Sequence, residues 1–579
     1  MEKSIKKNYI FNMIYQIILI IVPFIVAPYL ARILGENGTG QFSFTSSLIS
    51  YFTLFATFGF DTYATREIAK LRNDPEKQNK FFWEIIICRL STVSLSILIN
   101  VILILTGVYG KNTLLMLIMT INIVSIAFDI AFYFQGNEEF GKIVAKSLFV
   151  KLVYTACIFI FVKKASDLWI YVLLNSISVF LNASILWLTL KKKVKKPNFK
   201  ELEPFKHFKF ALALFIPAVA SNIYAMLGKT LIGVIVDDSI ADAQNGYFEQ
   251  ADKIFRICVT LITCLGTVMN SRNSNEISKG NHAQVKTNIY VAFNFIWILS
   301  FPITFGLIAV ANNFVPWFFG DNFLSSIPIL CILACALPIM GASNIFGSQY
   351  LIPYGEDKKY TIALVSGMFA SIVSNLILIY FFKALGASIA CVISEFTVAF
   401  IMFMFLRKKL SPKEMFKTAV KPLFSAVVMF FVVKFVSSKL SSTVLHTVIL
   451  IFIGIVVYFA MLLILREKLV ISTLKSAKQK LLSKKKAPKN QDSGLKLEEK
   501  SENLTSNENF ESENQENSNS SETKNSTESE TEDKPTLQDE FKQESKLETE
   551  ENPLLKNIEK TESEIIDNLE NDKNSENEE

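Results

Sequence analysis

"FNMIYQIILIIVPFIVAPYLARILGENGTGQFSF" runs from Phe11 to Phe44. Residues 9–30 carry no charge, and a run of about twenty apolar residues is what a helix needs to cross roughly 30 Å of hydrocarbon. The run is then interrupted by Arg32, Glu36 and the glycines 35, 38 and 40, after which apolarity resumes over 41–60. Asn37, Gly38 and Gly40 predict a tight turn whose backbone takes positive φ. Pro23 and Pro28 bend or end the first helix, and Pro217 takes a similar place in the seventh. The reading is two membrane spans joined by a short turn.

The same pattern continues down the chain. Further apolar runs lie near 83–106, 113–135, 143–162, 168–190, 209–233, 247–270, 289–311, 326–350, 361–382, 385–406, 418–436 and 444–465, fourteen in all. Mean hydropathy is +0.34 and half of the residues, 51%, are hydrophobic. The charged fraction of 19% is below the quarter or so usual in soluble domains. Fourteen runs with short polar joints exclude a soluble globular protein. Lys3, Lys6 and Lys7 precede the first run as they would a secretory signal, but with thirteen spans following it reads as an uncleaved anchor.

Charge divides the chain. Residues 490–579 hold 28 acidic residues against 9 lysines, a net of −19, whereas residues 1–489 carry a net of +25. The acidic segment is poor in apolar residues and predicts a disordered tail. Placing the N-terminus inside puts 38 Lys and Arg in inner segments and 6 in outer loops. The excess of basic residues on the cytoplasmic side therefore predicts a multi-pass protein of the cytoplasmic membrane with both termini cytoplasmic.

The basic stretch 191–209 separates the first twelve spans into two sets of six. Gly40, Phe42 and Arg66 recur 206 positions later as Gly246, Phe248 and Arg272, and the hydropathy pattern repeats with them. Two like halves that meet at a central site are a usual transporter plan. The expected organisation is a six-helix lobe over 1–190, a cytoplasmic basic linker over 191–209 and a second six-helix lobe over 210–406. Two extra helices and a basic juxtamembrane segment follow over 407–489, then the acidic tail over 490–579.

Some charges fall inside the spans, where an ionised group facing lipid costs at least a few kcal/mol. The basic ones are Arg89, Lys151, Lys229, Lys253, Arg256 and Lys434; the acidic ones are Glu84, Asp129, Glu249, Asp252 and Glu395. Glu84 and Lys434 lie near span ends and can snorkel. Glu249 with Lys253, and Asp252 with Arg256, have the i, i+4 spacing of salt bridges within one helix. Arg89, Lys151, Lys229, Lys253 and Arg256 are candidates for a cationic cavity that attracts an anion, arginine gripping phosphate oxygens through its planar fork. Asp129, Asp252 and Glu395 are the carboxylates to suspect of ion coupling. The seven cysteines all lie in spans and the three histidines are scattered, so no metal site and no cofactor are expected, nor is a nucleic-acid partner.

The quoted segment, together with "YFTLFATFGFDTYATREIAKLRND" over 51–74, resembles the start of Wzx-type polysaccharide flippases of the multidrug/oligosaccharidyl-lipid/polysaccharide exporter superfamily. The resemblance rests on the proline-containing first span, "PYLARILG", the glycine-rich turn and "REIAK", and it covers about residues 1–465. It implies an all-α polytopic fold of about fourteen helices, with two six-helix lobes in a V shape and two extra C-terminal helices. It implies a non-enzymatic transporter that turns a polyprenyl-pyrophosphate-linked oligosaccharide from the inner to the outer leaflet, with membrane lipids around it and polysaccharide polymerase and glycosyltransferases as candidate partners. By match of motif, Arg32 and Arg66 correspond to the family's early arginines. Rival readings are a cell-wall lipid precursor flippase, a multidrug or organic-cation antiporter of the same superfamily, and a membrane glycan polymerase or ligase. Enzymes of that last kind need large outer loops, and the longest here, 237–246 and 312–325, carry no histidine and no basic residue.

Overall fold

The computed structural model describes residues 2–190, 194–195, 198–472 and 475. The acidic tail and part of the basic linker lie outside the described residues. Met1–Leu462 forms one compact unit, and Leu463–Glu579 is the other.

Among the described residues every regular element is helical. The chain opens with α1 (Glu2–Thr57), α2 (Phe60–Lys70), α3 (Pro75–Leu105), α4 (Thr113–Phe128), α5 (Ala131–Gly136), α6 (Phe140–Phe161), α7 (Leu168–Ser184) and α8 (Leu186–Leu190). It continues with α9 (His207–Ile235), α10 (Asp238–Thr263), α11 (Leu265–Ser278), α12 (His282–Phe319), α13 (Ser326–Ala334) and α14 (Ala336–Asn344). A π-helical turn over Ile345–Leu351 leads to α15 (Asp357–Leu406), α16 (Pro412–Lys417), α17 (Val420–Ser437) and α18 (Val444–Ile464).

Ten helical stretches among the described residues are long and apolar enough to cross a membrane. One of them, α15, is two legs. Lys383 has φ 53° and ψ −128°, outside the helical region. A Cβ on Gly386 would lie 2.0 Å from the Leu378 carbonyl oxygen, whereas residues eight apart in a straight helix are about 12 Å apart. The chain has doubled back. Two more legs belong to α1, which breaks at Gly35 (φ 67°, ψ −175°), and another is α10, whose charges keep it off a purely apolar count. The fourteen expected spans are thereby accounted for as helical legs.

The positive φ of the first turn sits at Gly35, not at Asn37, Gly38 or Gly40. These three are already helical. The loop expected over 237–246 is likewise shorter than the sequence suggested, because Asp237 caps α10 through its side chain and the helix starts at Asp238. Polarity misplaced both boundaries: helix surface packed against another helix needs small or polar residues as much as a loop does.

The turns fall on two sides. At Gly35 and the ends of α9, α12 and the first leg of α15, the Arg32 guanidinium donates to the Trp317 carbonyl, Lys111 pairs with Asp242 at 2.6 Å, and the Ala384 amide donates to Gln244 at 3.3 Å. On the opposite side the Lys195 amide donates to Asn79 at 2.8 Å and the Ser411 amide to the Tyr290 hydroxyl at 2.9 Å. Glu356 takes Lys359 at 2.8 Å and also Lys409. Burial would raise the Glu356 carboxyl, but the two ammonium groups hold it below its ordinary value.

Candidate functional site

The helical register of α10 decides where its charges meet the rest of the protein. Asp252 and Lys253 lie three and four residues after Glu249, and Arg256 lies four and three residues after them, so they share a face. That face packs against α9, which brings Lys229. The Lys229 ammonium lies 2.8 Å from Glu249 and 2.8 Å from Asp252. All three are buried. Lys253 reaches Glu249 at 3.5 Å and Arg256 Nε donates to Asp252 at 2.9 Å, so both spaced pairs read from the sequence are made. A second guanidinium nitrogen of Arg256 donates to the Ala225 carbonyl at 3.3 Å.

The cluster grades from dry to wet. Lys229 is 11% exposed by side chain, Lys253 30% and Arg256 48%. Arg256 is nonetheless surrounded by groups from three helical segments, including Tyr224, Asp252, Cys391 and Glu395. The half-exposed guanidinium thus has polar and charged neighbours on three helical segments. Glu395, from the second leg of α15, is buried beside Tyr224 and Arg256. Three cations therefore face three carboxylates, with the two exposed cations adjacent along α10. An anion with two or more oxygens can be gripped by Lys253 and Arg256, the two cations that also pair with the buried Glu249 and Asp252.

The other candidates lie elsewhere. Arg89 is fully buried and donates to Asp61 of α2 and to the Asp129 carbonyl. Its guanidinium stacks 4.8 Å over the Phe132 ring. Asp129 itself sits at the break between α4 and α5, where its carboxylate accepts from the Ala131 amide at 2.9 Å. These two brace a helix break in the first half. Arg32 is exposed, Lys151 is half-buried on α6, and Arg66 is exposed on α2. The structure thus brings together Lys229, Lys253, Arg256, Asp252 and Glu395, and leaves Arg32, Arg66, Arg89, Lys151 and Asp129 apart from them.

Ser43 was missed by the sequence reading. Its hydroxyl donates to Glu249 at 2.8 Å from the second leg of α1. Ser43 and Glu249 are 206 positions apart, the period already seen at Gly40 and Gly246, so the repeat offset was the signal that could have found it. The offset organises the whole crossing of that leg with α10. A Cβ on Gly40 would strike the Asp242 carbonyl oxygen, and one on Gly246 the Glu36 carbonyl oxygen; Glu36 and Asp242 are again 206 apart. When residue i meets j and the equivalents of i and j meet in the reverse sense, the contact has two-fold symmetry. The crossing of this leg with α10 therefore has local pseudo-two-fold symmetry about an axis close to Ser43 and Glu249.

Helical legs that span a membrane, in two repeats that meet beside a buried charge cluster, define a polytopic membrane protein of transporter architecture. Residues 5–270 match the family model described as polysaccharide biosynthesis protein, a region that holds the crossing and all of the cluster except Glu395. The chain is 23% identical over 410 residues to "Putative O-antigen transporter" of Escherichia coli (strain K12), covering 70% of this chain and 97% of that protein. It is 22% identical over 376 residues to "Probable low-salt glycan biosynthesis flippase Agl15" of Haloferax volcanii, covering 64% and 77%. Among solved structures, the fold is similar to that titled "Lipid II flippase MurJ, inward closed conformation", with TM-score 0.57, 18% identity, and coverage of 78% of this chain and 100% of that one. The family match covers a little under half of the chain, and with these relatives it supports the resemblance to Wzx-type polysaccharide flippases.

Proposed function

We propose that the protein is a flippase that moves polyprenyl-pyrophosphate-linked oligosaccharide repeat units from the inner to the outer leaflet of the cytoplasmic membrane by alternating access. The observation that carries this reading is the pair Lys253 and Arg256, two partly exposed cations held over a buried ion-pair cluster in the middle of an apolar bundle. The relatives are named as a transporter and a flippase of glycans, and none of those named here is an enzyme. A pyrophosphate head and a hydrated glycan cannot enter hydrocarbon, whereas a polar hollow can carry them while the polyprenyl chain stays in lipid. With the cell interior negative, outward movement of each negative charge gains about 2.3 kcal/mol per 100 mV, so the membrane potential can drive export. Both termini are cytoplasmic in this reading, and polymerase and glycosyltransferases act beside it.

The test is complementation. In a host lacking its own repeat-unit flippase, the chain should restore surface polysaccharide and clear lipid-linked repeat units from the inner leaflet. Restoration of growth in a host lacking its cell-wall precursor flippase, without restoration of surface polysaccharide, would assign the protein to that substrate instead.

A further inference from the structure

The crossing at Gly40 and Gly246 and the charge cluster share one residue. Glu249 accepts from Ser43 of the opposite half at 2.8 Å, and the same carboxylate takes Lys229 at 2.8 Å and Lys253 at 3.5 Å. Lys229 in turn is divided between Glu249 and Asp252, and Asp252 holds Arg256. The contact between halves is therefore electrically continuous with the candidate binding cations.

The crossing is also built to part. Its close approach at the two glycines is backbone against backbone, with the Phe44 ring seated over Gly233 nearby. Beside them, Thr39 and Asn245, another pair 206 apart, are buried, and among the described residues the Thr39 hydroxyl and both polar atoms of the Asn245 amide have no hydrogen-bond partner. Buried unpaired polar groups raise the energy of the closed state and are relieved when water enters. Around the rim, polar links join the same halves: Lys111 and Gln41 with Asp242 at 2.6 and 3.1 Å, and Ser47 with Thr230 at 2.9 Å. Each can exchange its partner for water.

We propose that this crossing is a gate, and that Glu249 couples it to the anion site: an anionic head group taken up by Lys253 and Arg256 withdraws Lys253 from Glu249 and Arg256 from Asp252, and the gate opens. The idea rests on the flippase reading. When the anion engages Arg256 and Lys253, Asp252 and Glu249 are left to share Lys229. Glu249 is then a buried carboxylate short of positive charge. The hydration it lacks becomes available when the crossing separates and water reaches its oxygens, at the cost of the Ser43 hydrogen bond. Substrate charge is thereby converted into opening on the Gly35 side alone, because no other carboxylate described here bridges the halves and touches the cluster.

The test uses the full-length purified protein, with a reporter thiol introduced by Thr39→Cys and its maleimide labelling rate followed by peptide mass spectrometry, which separates it from the native cysteines. Inorganic pyrophosphate is the probe, its binding measured in the same samples by calorimetry, with sulfate at equal ionic strength as control. Pyrophosphate should accelerate labelling several-fold, and Arg256→Gln should abolish both binding and acceleration. Adding Ser43→Ala should speed labelling roughly tenfold without any anion, the factor expected when a hydrogen bond to a charged acceptor is lost. Pyrophosphate that binds but leaves the labelling rate unchanged would overturn the coupling while sparing the binding site. Absence of pyrophosphate binding would overturn the anion site and the coupling with it. A Ser43→Ala rate equal to that of the parent would remove Ser43 and Glu249 from the gate.

Discussion

Gly40 and Gly246 make the same contact from opposite halves of the chain. A Cβ on the first would fall 1.6 Å from the carbonyl oxygen of Asp242, and one on the second 2.1 Å from that of Glu36. Neither position admits a methyl group unless the helices move, because the obstructing atoms are backbone. Alanine at either should cost about 1–3 kcal/mol of stability, the usual range for overpacking. The two costs should not add. Once one methyl has forced the helices apart, the second enters a wider gap, so Gly40→Ala with Gly246→Ala should be less destabilising than the sum of the single changes. Melting of the purified protein measures this. Gly141, with nothing within 4 Å of an added Cβ, is the control: Gly141→Ala should hold or raise the melting temperature through helix propensity. Additive losses at the two glycines would mean that the crossing is not one cooperative contact.

Lys229 is the keystone of the cluster by position. It is buried between two carboxylates at 2.8 Å each, and removing one partner of a buried ion pair costs about 3–5 kcal/mol because the remaining charge is stranded. Lys229→Met should therefore destabilise strongly, more than Lys253→Met, whose side chain is partly exposed and 3.5 Å from Glu249. Adding Asp252→Leu to Lys229→Met should recover part of the loss, since one of the stranded charges is gone. Equal melting temperatures for Lys229→Met and Lys253→Met would show that the buried pairing contributes little.

Orientation can be read with two thiols. Ser239 lies in the first turn of α10 and is exposed; Lys200 lies in the stretch that leads to α9 and is exposed. In intact cells a membrane-impermeant maleimide should modify Ser239→Cys and spare Lys200→Cys, and permeabilisation should equalise them. The reverse pattern would invert the topology argued from the 38 to 6 division of basic residues. Asn245, a natural choice if 237–246 were a loop, would mislead, because it is 1% exposed inside α10.

How much of this was legible in the sequence follows from what hydropathy measures. It reports length and lipid exposure, so the spans, their alternation and the odd charged residues inside them could all be read. It does not report partners. Arg89 and Lys229 look alike as cations in apolar runs, yet Arg89 braces the break between α4 and α5 through Asp61 and the Asp129 carbonyl, while Lys229 organises the cluster. Asp129 reads as an acid inside a span and proves to accept from the Ala131 amide at a helix break. Spacing along one helix was reliable, as Glu249 with Lys253 and Asp252 with Arg256 show. Pairing between helices was not, except where the 206-residue period linked Gly40 with Gly246. Followed one turn further, that period would also have linked Ser43 with Glu249.

Arg256 separates a structural from a binding role. Its Nε donates to Asp252 at 2.9 Å, which alone would make it a helix brace, but its side chain is 48% exposed and retains donors beyond that contact. If bracing were its whole contribution, Asp252→Asn combined with Arg256→Gln would restore most of the transport lost in either single variant. If it holds a pyrophosphate oxygen, Arg256→Gln should abolish transport in either background. Arg256→Lys should then retain intermediate transport, because the charge remains while the bidentate fork is lost. Loss of one charge-assisted contact of this kind is worth roughly 1.5–3 kcal/mol, or about ten- to a hundredfold in transport rate. The assay is accumulation of lipid-linked repeat units in the complemented host, with surface polysaccharide and protein level scored in the same cells. We expect the binding pattern, since Arg256 is 48% exposed and its contacts with Asp252 and the Ala225 carbonyl do not use all of its donors. Transport at the parent rate in Arg256→Gln would take this residue out of the substrate path and shift attention to Lys253.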